Sequence, residues 1–464
     1  ENTSATIFME ALQKTKRELL DKNWDNIIAH ELFHHWFGDL VTCESWANLP
    51  LNESFATYAE YLWEEYKKGT SHAEYTRQGD MEQYLDESER KKEPLIRYNY
   101  NVPDDMFDSH SYAKGGCVLH MLRKYVGDEA FFEALSLYLK NNEFKTAEIH
   151  HLRLAFEEVT GEDLNWFFNQ WFMSPGHPVL KITSKYEEGA VKVSTEQIQD
   201  TVYMPVYKLP LKVSIWHKGK KEIYPIEINR AKQQFEFNLE SQPDLVIIDE
   251  ERILLGEIEH KKTTAEYLKQ YELSEHYMSK YEALDKLYKL NDSVRVRNLI
   301  ISALKDPFWK LRQMSTESLG RYKGPDTTKL LDEIKALALN DPNNQVRSTA
   351  INVLSRKKRP QYEEVYLKGM NDSSYALVGA SLLAYLKLNP ADNKEKLAKF
   401  ENETNANIVE ALSEYYATNY DSTKYDWFVK RIKTSKPEGI YYIIQDFSRY
   451  LIKAPVSKQT EGAK

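Results

Sequence analysis

The chain has 464 residues, of which 42% are hydrophobic and 29% charged, with a formal net charge of −9. That length and composition describe a globular chain with room for roughly three domains. The acidic balance excludes nucleic acid as the main partner, because no basic stripe is present to release counterions, and no apolar run approaches the ~18 residues of a membrane span.

In chain order, spacing predicts a helix over 24–37 that carries His30-Glu31-Leu32-Phe33-His34. A second is predicted over 53–67, where Phe55, Tyr58, Ala59 and Leu62 recur at helical spacing and form a buried face. The pattern continues over 111–125 and 129–139. Ser174-Pro175-Gly176-His177-Pro178 is then a strong breaker and a domain edge. From 179 to 256 the period becomes two. Leu180-Lys181-Ile182-Thr183-Ser184, Leu211-Lys212-Val213-Ser214-Ile215-Trp216 and Gln234-Phe235-Glu236-Phe237-Asn238-Leu239 alternate, separated by turn signals such as Lys218-Gly219-Lys220. Several short strands in so short a stretch predict a small β-sandwich.

Beyond 257 the chain is helical again, with a weak repeat. Asp306-Pro307 precedes Leu311-Arg312, and Asp341-Pro342 precedes Val346-Arg347, 35 residues later. Asp372 precedes Tyr375-Ala376-Leu377-Val378 after a further 31, without the Arg. That period predicts a HEAT-like helical repeat, with an irregular helical bundle as the alternative. Arg356-Lys357-Lys358-Arg359 reads as a solvated helix end. Two cysteines, Cys43 and Cys117, allow one disulfide without implying it.

The chemistry is concentrated early. Two histidines four apart on a helix share a face and can reach one zinc ion, with Glu31 beside them as a candidate general base. Glu53, 18 intervening residues after His34, can supply a third, carboxylate ligand. Two His and one Glu leave the fourth zinc position open to water, which is the catalytic pattern. His-Glu-x-x-His alone would arise by chance in roughly one chain in a hundred of this size, so its neighbours must carry the reading. Glu60, seven residues beyond Glu53, shares its helix face and is expected to accept a hydrogen bond from a ligating histidine. His35 points about 100° away from His34 and is expected to pack or hydrogen-bond rather than ligate.

Those neighbours resemble the aminopeptidase N-like zinc metallopeptidases, the family that also contains leukotriene hydrolase. The resemblance runs through His30-Glu31-x-x-His34, Trp36-Phe37-Gly38, Leu40-Val41-Thr42, Trp46 and Leu51-Asn52-Glu53. Trp171-Phe172-Met173 with Gly176-His177-Pro178 is similar to the segment that closes the family's catalytic domain. The metzincin alternative fails, because Phe37 and Leu40 stand where it needs Gly and His. The family resemblance implies a thermolysin-like, mainly helical catalytic domain over 1–178. A β-sandwich over 179–256 and a HEAT-like repeat domain over 257–464 would complete a multidomain α plus β chain.

It also implies one Zn2+ held by His30, His34 and Glu53, with Glu31 taking a proton from the zinc-bound water that attacks an N-terminal peptide bond. Asp108-Ser109-His110-Ser111-Tyr112-Ala113-Lys114-Gly115 resembles the family segment whose Tyr stabilises the oxyanion. That assigns the role to Tyr112, with Asp108 as a supporting residue behind it. Asp39 stands where many members carry Asn.

The opening Glu1-Asn2-Thr3-Ser4-Ala5 resembles the end of the family's Gly-x-Met-Glu-Asn motif, whose Glu grips the substrate's α-ammonium. Glu1 is therefore the expected substrate anchor, and the family's N-terminal β-domain is expected to lie outside this sequence. On this reading the chain binds zinc but cleaves poorly. The expected partners are peptides with a free N-terminus, the expected oligomeric state is a monomer, and the compartment, cytoplasmic or exported, is left open. The alternatives are a helical-repeat interaction protein with a vestigial zinc site, an endopeptidase, or a zinc hydrolase of a non-peptide substrate such as an epoxide.

Overall fold

A computed structural model describes residues 2–325, 327–389, 394–434 and 437–462. The architecture is mixed and mostly helical, with small sheets. The chain folds as two compact units. One holds the residues up to Glu10 and Trp24–Lys286, and the other holds Ala11–Asn23 and the chain from Leu287 onward.

The first unit opens with α1 (Asp25–Phe33), β1 (Val41–Cys43), α2 (Pro50–Lys68) and α3 (Thr70–Ser88). A π-helical turn follows at His110–Lys114 and leads into α4 (Gly115–Val126), α5 (Asp128–Asn142), β2 (Lys145–Ala147), α6 (Ile149–Thr160) and α7 (Asn165–Trp171). α1 stops at Phe33, four residues short of the expected end. The chain leaves it through longer hydrogen bonds, Asp39 N to His34 O at 2.9 Å and Leu40 N to His35 O at 3.2 Å. Gly38, at φ 144°, makes the turn a side chain would resist. β1 then pairs in parallel with β2, Thr42 opposite Thr146.

α2 differs from the expected one-sided helix. Pro50 to Ala59 are buried without interruption, while Leu62, expected in the core, is half-buried. Its first half is enclosed by α1, α3, α4 and the π turn, so polar residues there lie inside the unit as well. Pro at the first helical position starts it with a preset φ and a donor it does not need.

The period-two region forms β3 (Val179–Glu187), β4 (Ala190–Gln197), β5 (Leu209–His217), β6 (Lys220–Ile228), β7 (Lys232–Asn238), β8 (Leu245–Ile248) and β9 (Glu257–His260). They make a four-stranded sheet of order β7-β4-β3-β9 and a three-stranded sheet of order β6-β5-β8. β3 pairs antiparallel with β4 and in parallel with β9. β4 alternates buried and half-buried positions, so one of its faces meets a core. α8 (Thr264–Leu273) and α9 (Tyr277–Leu287) follow.

The second unit continues through α10 (Val294–Ala303), α11 (Trp309–Arg321), α12 (Thr327–Asn340), α13 (Asn344–Ser355), α14 (Glu363–Gly369), α15 (Tyr375–Leu388), α16 (Lys394–Ala398), α17 (Ala406–Thr418), α18 (Tyr425–Thr434) and α19 (Pro437–Leu451). α20 (Val456–Gly462) completes the described helices. α11, α13, α15, α17 and α19 pack one on the next, and α12 and α14 pack against α13 and α15. The aspartates of the sequence repeat occupy the turns between layers. Asp341 accepts the Asn343 N–H at 2.8 Å and both arms of Arg312 at 2.8 Å. Asp372 accepts the Ser374 N–H at 2.9 Å and Arg347 at 2.8 Å. Each aspartate thus caps its own turn and takes the arginine of the copy before it.

At the third copy, Ala11–Asn23 supplies an acid from elsewhere in the chain. Asp21 accepts from Ala376 N at 3.0 Å and Ser374 Oγ at 2.5 Å, and the Arg17 guanidinium lies 3.8 Å from the Tyr375 ring centre.

Candidate metal centre

α1 and the start of α2 bring three donors together. His30 sits in the last turn of α1. His34 lies just past its end but keeps helical backbone angles, φ −57° and ψ −23°, so the two rings still share a side. Glu53 lies in the first turn of α2, where the helix dipole favours a carboxylate. The three ligand atoms lie within 4.8 Å of one another, and all three residues are buried.

Each histidine is oriented from behind. His34 Nδ1 is 3.1 Å from the Phe37 carbonyl, which can only accept, so that nitrogen carries the proton. His30 Nδ1 is 3.1 Å from Glu60 Oε1, and Glu60 Oε2 accepts from Asn26 Nδ2 at 2.7 Å. Both Nε2 atoms are thereby directed at Glu53 Oε2, at 3.3 and 3.4 Å. That oxygen is buried, and among the described residues only these two imidazole nitrogens face it. A buried carboxylate oxygen facing two imidazole nitrogens is a cradle for a cation, and two nitrogens with one oxygen suit a divalent metal such as zinc. The donor set therefore fits a metal.

The local charges act in the same direction. Burial opposes both ionised forms, yet the two histidines hold Glu53 down to about 2, and Glu53 and Glu60 push His30 up to about 9. The charge that holds a proton on His30 is the charge that would hold a cation, so proton and metal compete there.

The other expected residues fall as follows. Glu31 is half-buried on α1, between the two histidines in sequence. Tyr112 lies in the π turn, half-buried, with its ring nearly parallel to that of His30 at 6.1 Å between centres. Phe107 lies 6.3 Å from Tyr112, and Trp46 lies 5.7 Å from Phe107. Asp108 caps the π turn, accepting from His110 N at 3.1 Å and Ser111 N at 2.9 Å, and pairs with Arg97 at 2.6 Å. Glu1 lies outside the described residues. His35 hydrogen-bonds Thr6 Oγ1 at 2.8 Å and pairs with Asp39 at 3.2 Å. Both cysteines are free thiols.

A second cluster, Glu87, Asp108 and His110, also has donors within 4.8 Å. Arg97 and Lys91 already neutralise Asp108, and His110 Nδ1 is 2.7 Å from Glu87, so this is an ion-pair network. Sequence reasoning missed Asn26, although it stands four residues before His30 and so shares its helix face. It also missed the Phe37 carbonyl, which no side-chain pattern could reveal.

A model of the Peptidase family M1 domain matches residues 1–171. Over that stretch the chain is similar to the peptidase family M1 domain. The M1 stretch is 36% identical over 174 residues to Aminopeptidase M1 of Arabidopsis thaliana, covering 36% of this chain and 19% of the relative. It is 35% identical over 184 residues to Aminopeptidase N of Streptomyces lividans, covering 38% and 22%. To Tricorn protease-interacting factor F2 of Thermoplasma volcanium it is 34% identical over 230 residues, covering 47% and 29%. The matched stretch thus spans less than a third of each of these relatives. The crystal structure of Legionella pneumophila aminopeptidase A in complex with aspartic acid is similar in fold, with a TM-score of 0.67 over 91% of this chain and 56% of that one. At 16% identity that likeness concerns the fold. Among the described residues no helix is long and apolar enough to cross a membrane.

Proposed function

We propose that the protein is a zinc-dependent aminopeptidase that hydrolyses the N-terminal peptide bond of peptides. The observation that carries this is the convergence of His30, His34 and the buried Glu53 oxygen inside the stretch similar to the M1 peptidases. Zinc there would supply a Lewis acid that activates water and polarises the scissile carbonyl.

The chain's own residues do the rest. Glu60 and the Phe37 carbonyl hold the two imidazoles in the tautomer that leaves Nε2 for the metal. Glu31 accepts the proton of the attacking water and passes it to the leaving amine. Tyr112 donates a hydrogen bond from its phenol to the oxyanion of the tetrahedral intermediate. Glu1 binds the substrate's α-ammonium, and this limits cleavage to the first bond. Asp108 acts at one remove, holding the turn that carries Tyr112.

The same proposal includes three domains, 1–178, 179–256 and 257–464, the last a HEAT-like repeat. It is supported by the run of strands β3–β8 within Val179–Ile248 and by the stacked helices later in the chain, whereas β9 (Glu257–His260) pairs with β3 past the proposed boundary.

The test is cleavage of a fluorogenic amino-acid amide against its N-acetylated twin, with Glu31→Gln as the blank. Cleavage of the free amine alone, lost in Glu31→Gln, is expected. Equal cleavage of both would remove Glu1 from the reading and make the enzyme an endopeptidase. No cleavage of either by the zinc-loaded protein would overturn the peptidase reading.

A further inference from the structure

One buried hydrogen bond joins the two halves of the site. Ser54 follows the ligand Glu53 on α2, and Ser111 precedes Tyr112 in the π turn. Ser54 Oγ donates to the Ser111 carbonyl at 2.7 Å, and both residues are almost fully buried.

The backbone around this bond is built for close approach. Gly115 opens α4 directly against Ser54: a Cβ there would lie 1.7 Å from Ser54 Oγ and 2.4 Å from Ser54 Cβ. At Gly116 a Cβ would meet Thr57 Cγ2 at 3.1 Å. The absent side chains let the π turn and α4 press onto the first turns of α2, and the hydroxyl then fixes their register. The π turn itself shifts the ladder by one residue, with Lys114 N donating to Ser109 O at 2.8 Å. π turns of this kind concentrate at functional sites, where they re-aim a side chain. The side chain aimed here is Tyr112, whose ring lies along that of His30.

We infer that Ser54 is a positioning residue, which sets the phenol of Tyr112 at its working distance from the His30–His34–Glu53 centre through the Ser54–Ser111 hydrogen bond. The inference rests on the proposed aminopeptidase reading and adds to it the device that couples the oxyanion donor to the metal ligands. Ser54 touches neither metal nor substrate. Its effect is on geometry, and a misplacement of 1 Å at a reacting centre can cost about a hundredfold in rate.

The experiment is a double-mutant cycle on the zinc-loaded chain with Ser54→Ala, Tyr112→Phe and the pair. kcat and KM for the amino-acid amide are measured along with zinc content and the unfolding midpoint. Hydrogen exchange across 108–116 is followed in the metal-free protein. Ser54→Ala is expected to keep its zinc and its KM and to lose roughly ten- to a hundredfold in kcat. The loss should vanish in the Tyr112→Phe background, and exchange in the turn should quicken. If Ser54→Ala loses its fold, Ser54→Cys keeps the volume with a weaker donor and should show the same cycle with smaller amplitude.

An unchanged kcat in Ser54→Ala overturns the inference, and so does a loss that persists undiminished without the Tyr112 hydroxyl. Absence of turnover in the unmutated zinc-loaded chain overturns the aminopeptidase reading first, and this inference with it.

Discussion

At the scale of single residues, Lys114 is a buried cation in the first unit. It is fully buried, its Nζ has no hydrogen-bond partner among the described residues, and the face of Tyr84 lies 5.4 Å away. Burial, with the neighbouring charge of Arg97, pulls its pKa from 10.5 down to about 7. The folded protein therefore binds fewer protons here than the unfolded chain between pH 7 and 10.5. The cost to stability is full below pH 7 and fades as pH rises through that window. Lys114→Met, which keeps the length and removes the charge, should stabilise the protein by on the order of 2–4 kcal/mol at pH 6. It should do almost nothing at pH 10.5, as read from denaturant midpoints. A gain independent of pH would show that packing rather than charge was the cause. Lys114 is legible in the sequence only as part of a Tyr-x-Lys-Gly string. Its burial follows from the π turn, which no periodicity announces.

At the scale of elements, successive helices of the second unit are joined through Asp341 and Asp372. Arg312 and Asp341 are buried and meet through two hydrogen bonds, so breaking them strands a buried charge. Arg347 and Asp372 are half-buried and meet through one. Arg312→Ala should therefore cost about 3–5 kcal/mol of stability, and Arg347→Ala about 1 kcal/mol or less, with thermal unfolding as the measure. Equal losses would mean that the turns rather than the ion pairs hold the layers. The Asp-to-Arg spacing was visible in the sequence because each copy must present the same two side chains. Its partner relation, Arg of one copy to Asp of the next, is a contact between layers and is absent from local spacing. The same holds for Asp21, which lies more than 350 residues from Ser374 and Ala376 and yet caps their turn. α1 and α2 were also legible, but not their ends or their burial. Periodicity reports one apolar face, whereas α2 is enclosed on all sides over its first turns.

At the scale of the molecule, the metal should be a stabiliser, because its three donors come from two helices and the unfolded chain does not gather them. Adding zinc to metal-stripped protein should raise the unfolding free energy by about 2.7 kcal/mol at a hundredfold excess over Kd, read as a higher unfolding midpoint. His34→Ala should abolish the gain, whereas Glu31→Gln should keep it and lose turnover. A gain that survives His34→Ala would place the stabilising metal elsewhere. The chain's sequence alone determined the elements and the chemical types: helical and strand periods, the i, i+4 histidines and the carboxylate in the next helix. These depend on residue type and short-range spacing. Only the tertiary structure decided which atoms face one another. It aimed both Nε2 atoms at one oxygen, tied Ser54 to the turn of Tyr112, buried Lys114 and brought Asp21 to the turn of Ser374 and Ala376. Such contacts depend on how packed elements meet in space, and one residue's identity carries no record of a partner a hundred positions away.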